Sequence, residues 1–315
     1  MRSVRFLWLL SVVASFPSAF AAPVSMAPVA QQVLELFKTN DVVVLGEIHH
    51  VHEQRSLLTR LAEENGKLRA FDALATEALW TVDQEKLDRY LTTGDEKEIF
   101  LDEGWFNSVN VREAFRELRA NKEKVCAVDV DFYGPDHPKR AAELKERFLS
   151  FPAEVQKLIL RHAGVKNLAE LLKSGTYFDR EYLMAVAIDT CVRSHRKVLV
   201  HLGSDHVTSP DPLFRRQVAK EPWDTMQWLS FLRPELRYVT VKNMIDVAED
   251  LDDAGKGLVA FYRAKAAANP FLISSKELPA SVKKLMTEDG TELWRRGDYV
   301  IVGPAGTAEK KVKPQ

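Results

Sequence analysis

The chain of 315 residues is short of cysteine, carries no nucleophile or nucleotide signature, and has no long apolar run after its first residues. Each shortage excludes something. There is no Gly-x-Ser-x-Gly elbow, no glycine-rich phosphate loop and no dinucleotide fingerprint, and His52-Glu53 is not followed by the second histidine of a His-Glu-x-x-His zinc helix. Cys126 and Cys191, the only cysteines, sit in apolar contexts where a thiol is unreactive. A covalent serine or cysteine mechanism is therefore not signalled, and activation of water is the better expectation. Beyond the first residues no stretch has the ~20 apolar positions that a bilayer crossing needs, so an integral membrane protein is not expected. Lys and Arg number 44 against 45 Asp and Glu, and this balance argues against nucleic acid as a partner.

What is present begins with Met1-Arg2-Ser3-Val4-Arg5, an apolar run from Phe6 to Phe16 and the small-residue site Ala19-Phe20-Ala21. Charge, apolar core and small residues in that order are what a signal peptidase reads. Residues 1–21 are accordingly expected to be removed, and the mature protein to be periplasmic or secreted. No cysteine stands at the cleavage site, so no lipid anchor is indicated. Residues 22–304 are read as one domain and the basic end, 305–315, as a flexible tail. Export permits a Cys126–Cys191 disulfide, but buried free thiols fit the same positions and spacing does not decide.

Continuous β-branched runs recur between amphipathic stretches: Val42 to Leu45, Ala70 to Thr76, Lys124 to Val128, Lys197 to Leu202 and Tyr238 to Val241. Runs without alternation belong to strands buried on both faces. Gln54 to Asn65, with Leu57, Leu58, Leu61 and Ala62 at helical spacing, makes a crossover between the first two. Leu258 to Tyr262 and Tyr299 to Val302 read as two further strands that could pair at an edge. Residues 138–192 contain only helical patterns. The expected fold is α/β, a mixed, mainly parallel sheet with helices on both faces and a helical insertion over 138–192.

In such sheets the pocket lies beyond the carboxyl ends of the strands. Three ends stand out: Gly46-Glu47-Ile48-His49-His50-Val51-His52-Glu53, then Thr76-Glu77, then His201-Leu202-Gly203-Ser204-Asp205-His206. Two are Gly-x-x-His, in which glycine is expected to let the backbone bend where the strand stops. Imidazole titrates near neutral pH and takes a proton from water or binds a metal, and a carboxylate orients it or shares the base role. His49, Glu77 and His206, with Glu47 and Glu53 close by, are the expected catalytic set. The same His49, Glu77 and His206 are also a ligand set that would leave a divalent metal one open position. His50 and His52 read as exposed turn residues, and His201 as a hydrogen-bonded core histidine. Glu47 could instead cap the following helix. One of Asp129 and Asp131 should reach the rim. Arg180 is expected to pair with its neighbours Asp179 or Glu181 rather than with a pocket carboxylate, and Trp80 and Trp105 could wall the pocket.

Val44-Leu45-Gly46-Glu47-Ile48-His49, the strand-end Glu77 and Gly203-Ser204-Asp205-His206-Val207 resemble the superfamily of erythromycin esterases, ChaN-type haem-binding proteins and Tiki metalloproteases. Glu53 and Arg180-Glu181-Tyr182-Leu183-Met184-Ala185 are similar to the esterase branch, whose helix reads Arg-Asp-x-x-Met-Ala. Gly297-Asp298-Tyr299-Val300 is closer to the end of the ChaN-type domain. The resemblance implies a mixed α/β core and a pocket of His49, Glu77 and His206, used without metal in the esterase branch and around a divalent ion in the Tiki branch. The expected activity is hydrolysis of an ester, lactone or amide bond in a small-molecule or peptide substrate. The alternative is a haem- or iron-binding protein of an uptake pathway, with histidines and Tyr133 or Tyr177 as ligands.

Overall fold

A computed structural model describes residues 24–99, 108–130, 140–174, 178–207, 224–285 and 297–308. Its strands are β1 (Val42–Glu47), β2 (Ala73–Trp80), β3 (Lys124–Asp129), β4 (Val198–Gly203), β5 (Tyr238–Asn243), β6 (Phe271–Ser274) and β7 (Tyr299–Val302). The helices are α1 (Ala27–Glu35), α2 (His52–Leu68), α3 (Gln84–Thr93), α4 (Val109–Ala120), α5 (Arg140–Ser150), α6 (Ala153–His162), α7 (Leu168–Ser174), α8 (Phe178–Ser194), α9 (Thr225–Leu232), α10 (Asp253–Ala264) and α11 (Ala280–Lys283).

The strands form one sheet in the order β3-β2-β4-β1-β5-β7-β6, parallel except where β6 runs antiparallel to β7. This is the α/β class expected. Both faces are covered, which is why the strands read as unbroken apolar runs. Val43, Leu45, Leu74 and Leu199 point into a core shared with α1, α2 and α4, whereas Val42, Val44, Ala75 and Val200 point into a second core with α8 and α9. Position β4 decides the site. The fourth strand in sequence lies between the first two, so its carboxyl end falls between theirs.

Helix α8 closes the stretch read as an insertion, yet it is built into the second core through Tyr182, Met184, Ala185 and Ile188. Its Cys191 forms a disulfide with Cys126 of β3, with 6.2 Å between Cα atoms. Two strand expectations need correction. Leu258 to Tyr262 lies inside α10, because Asp252 caps that helix by accepting from the Gly255 amide at 2.6 Å, and Ala254, Gly255, Leu258 and Val259 are buried at helical spacing. The edge partner of β7 is β6 instead, a half-buried strand of four residues with no alternation to announce it. Part of the segment read as a loose tail is tied down as well: Gly306 and Ala308 bridge to Val247 and Val51. Among the described residues no helix is long and apolar enough to cross a membrane.

Candidate active site

The ends of β1, β4 and β5 open on a cleft of about 750 Å³ whose lining includes Glu47, His49, Gly203, His206, Lys242 and Asp246, with Glu77 of β2 in contact with Gly203 and His206. Strand β1 delivers Glu47 as its last residue, 1% exposed, with one oxygen on each side of an imidazole pair. His49 Nδ1 lies 3.0 Å from Glu47 Oε1, and Nε2 of the buried His201 lies 2.7 Å from Oε2. Behind His201, its Nδ1 is 3.2 Å from the Thr76 hydroxyl, which itself accepts from the Ala78 amide. Burial pushes the Glu47 carboxyl up, but the imidazoles of His201 and, to a smaller degree, His49 outweigh this and hold it well below the usual carboxylate range. Glu47 is thus an ionised orienter of His49 and not a helix cap, and His201 is the core histidine expected, with a site residue as partner.

His49 is a third exposed, and with Nδ1 on Glu47 its Nε2 points past Gly203, 4.0 Å from Glu77 Oε1. A Cβ on Gly203 would stand 2.8 Å from that Nε2. The backbone of Gly203, φ −59° and ψ 145°, is open to any residue. Its glycine is therefore needed for the close approach of His49 and not for a sharp bend, which corrects the expectation from the motif. Gly46 lies within β1, and a Cβ there would meet neighbours at an ordinary 3.5 Å.

Glu77 sits where the β2 register shifts between Thr76 and Trp80, a bulge that turns its side chain toward β4. Its Oε2 accepts from the Gly203 amide at 2.6 Å, and its Oε1 accepts from Arg180 Nη2 at 3.0 Å and lies 3.3 Å from His206 Nε2. Burial raises this carboxyl, but His206, Gly203 and His49 together bring it down to about 2. His206 is held on its other side by Glu181, 2.9 Å from Nδ1 to Oε2. Burial disfavours its charge, but Glu181 and Glu77 outweigh that and push the imidazole up to about 10. The ring is therefore a standing imidazolium at neutral pH.

Arg180 reaches pocket carboxylates, which the sequence reading did not favour. From the first turn of α8 it reaches Asp129 at 2.9 Å as well as Glu77, and its Nη1 stands 3.3 Å from His206 Nε2. The expected rim aspartate is thus Asp129, buried at the end of β3; Asp131 lies outside the described residues. Sequence reasoning favoured a surface pair for Arg180 and Glu181, and it passed over Lys242, a fully buried lysine of β5 whose ammonium donates to the Ser204 carbonyl and so holds the turn before His206. One expected member, Glu53, is elsewhere, and His52, read as an exposed turn residue, is exposed at the start of α2. The Glu53 carboxylate accepts the Thr307 amide at 2.7 Å and its hydroxyl at 2.9 Å, and His52 Nδ1 is 3.0 Å from Asn110 Nδ2. Trp80 is exposed, and Trp105 lies outside the described residues.

A divalent ion held by His49, Glu77 and His206 would need an uncharged His206 nitrogen and a free Glu77 oxygen. Here both Glu77 oxygens already accept hydrogen bonds, and the Arg180 guanidinium stands against Glu77 Oε1 and His206 Nε2, so this donor set does not fit an ion between them. Ligand-type groups do gather at the rim, where His50 Nε2 lies 3.5 Å from Asp246 and 3.4 Å from Asp250. Haem needs an apolar slot, and the described wall next to His50 is acidic instead, with Asp246, Glu249, Asp250 and Asp252. Tyr133 and Tyr177 lie outside the described residues.

No family model matches the sequence, and no curated protein matches it. Solved structures do. An erythromycin esterase mutant, EreC in its open conformation, superposes with a TM-score of 0.55 at 14% identity over 89% of this chain and 94% of its own. A succinoglycan biosynthesis protein gives 0.55 at 12% identity over 90% and 92%. A Bacillus cereus protein gives 0.51 at 12% identity over 89% and 92%. The resemblance read from the strand-end motifs thus holds at the level of the fold.

Proposed function

We propose that this protein is an exported hydrolase that activates water for cleavage of an ester, lactone or amide bond. The carrying observation is the division of labour between two imidazoles on adjacent strand ends. His49, oriented by the ionised Glu47, presents Nε2 to the cleft and removes a proton from water as hydroxide adds to the substrate carbonyl. His206, fixed as a cation between Glu181 and Glu77, meets the negative charge that develops on the carbonyl oxygen. When the tetrahedral species collapses, His49 returns the proton to the departing oxygen or nitrogen. Glu77, held low and spent on three partners, is a weak base; in this reading it anchors His206 and Arg180. The Cys126–Cys191 bridge supports an oxidising compartment, hence a periplasmic or secreted location.

The test is a panel of aryl and alkyl esters, lactones and peptide amides assayed with the mature protein and with His49→Ala. The reading expects at least one substrate to be turned over and its kcat to fall by ~10²–10⁴ in the variant. Hydrolysis that persists undiminished in His49→Ala would sink it.

A further inference from the structure

The loop carrying His49 and the wall carrying Asp246 come from distant parts of the chain, residues 48–51 after β1 and 244–252 after β5. Contacts at the start of α2 tie them together. Gln54, fully buried, accepts the Ile48 amide at 2.7 Å and donates its own amide to the Ile245 carbonyl. Beside it, Glu53 accepts both the amide and the hydroxyl of Thr307. Thr307 returns a bond, its carbonyl accepting the His52 amide at 2.8 Å, while the Gly306 amide donates to the Asp246 carbonyl at 2.7 Å. Residues 306–308 therefore lie as a strap between the two loops, with an antiparallel bridge to Val51 and a parallel one to Val247. The fit is close. A Cβ on Gly306 would come 2.8 Å from Val51, 2.9 Å from Glu53 Oε2 and 3.1 Å from Ile245.

We infer that Glu53 is a positioning residue: with Thr307 it clasps the 306–308 strap, which fixes the His49 loop against the 244–252 wall and so sets the pose of His49 over Gly203. Glu53 is 8% exposed, turns both oxygens to Thr307 and does not line the cleft, so it is not placed to activate water there. The catalytic consequence rests on the reading of His49 as base; the strap itself does not.

The strap is tested by hydrogen exchange on the full chain, comparing wild type with Glu53→Ala, Gly306→Val and the conservative Glu53→Gln. Losing two hydrogen bonds to a charged acceptor should raise exchange of the 48–51 and 245–247 amides by ~10-fold or more in the first two variants, with β1 and β4 unchanged. Glu53→Gln keeps a partner for each Thr307 group and should stay near wild type. The His49 ring nitrogen signals should move in Glu53→Ala and not in Glu53→Gln. If Glu53→Ala does not fold, Thr307→Val, which removes only the hydroxyl bond, should show the same local acceleration to a smaller degree. Unchanged exchange, or acceleration spread evenly over the sheet, overturns the inference. So does loss of hydrolysis in Glu53→Ala with loop exchange and His49 signals intact, an outcome that would leave the hydrolase reading standing. Conversely, absence of hydrolysis in the wild type would fail that reading while the exchange data still decide the strap.

Discussion

His49 and His206 each stand three residues after a glycine at the end of neighbouring parallel strands, and their surroundings could hardly differ more. His49 is a third exposed and has one carboxylate at Nδ1, itself shared with a buried His201. His206 is mostly buried, has a carboxylate on each nitrogen and lies beside a guanidinium. The first environment presents Nε2 toward the cleft; the second fixes a charge in place before any substrate arrives, which is the preorganisation that makes electrostatic stabilisation effective. The same motif therefore carries two chemistries, and what separates them is contributed by distant residues, Glu47 and His201 on one side, Arg180 and Glu181 from α8 on the other.

The largest effect expected from breaking this difference is on the His206 side. Arg180→Ala takes the cation from buried Asp129 and leaves Glu77 with His206 alone, and removal of one partner from such a cluster costs ~3–5 kcal/mol. Thermal or urea denaturation should register that loss, and a loss below about 1 kcal/mol would mean that Arg180 is peripheral. Next comes His206→Asn, which keeps the shape and removes the charge. It should lower kcat by ~10²–10³ with the fold intact.

The same variant tests the pH dependence of stability. Because the folded His206 lies near 10, its contribution is complete below its unfolded value of about 6.5 and is lost as pH rises through about 10. Glu77, depressed to about 2, contributes above its unfolded value of about 4.5 and is lost as pH falls through about 2. Denaturation midpoints should be flat near neutrality and fall on both sides, and the alkaline slope should disappear in His206→Asn. The smallest effect distinguishes the two glycines. Gly203→Ala forces His49 out of place and should cost kcat ~10–100-fold, as misplacement of about 1 Å commonly does, whereas Gly46→Ala meets only ordinary contacts and should change kcat less than ~3-fold. Equal effects at both would mean that His49 does not depend on its approach to Gly203.

Much of the fold was legible because strands buried on both faces cannot alternate: the runs at Val42, Lys124, Lys197, Tyr238 and Tyr299 each fall on a strand. The run Leu258 to Tyr262 carried the same local composition but lies behind the Asp252 cap, and a cap four or more residues away outranks β-branched content. β6 was hidden by being short and half-exposed. In the site, residues that follow strands directly were visible as such. Arg180 was not, because an arginine beside Asp179 and Glu181 satisfies a surface pair as well as a buried one, and only the packing of α8 against β3 aims it at Glu77. Glu53 was misplaced for the converse reason: proximity in sequence to His49 put it near the site, but α2 turns its carboxylate to the strap.

The central claim is that His206 is a charge held in place between Glu181 and Glu77, and a pH titration of its ring resonances by NMR tests it most directly. The account predicts that the His206 ring remains an imidazolium through neutral pH and titrates near 10. Titration near the ordinary 6.5 would contradict it, since Glu181 and Glu77 would then not be holding the ring as a cation.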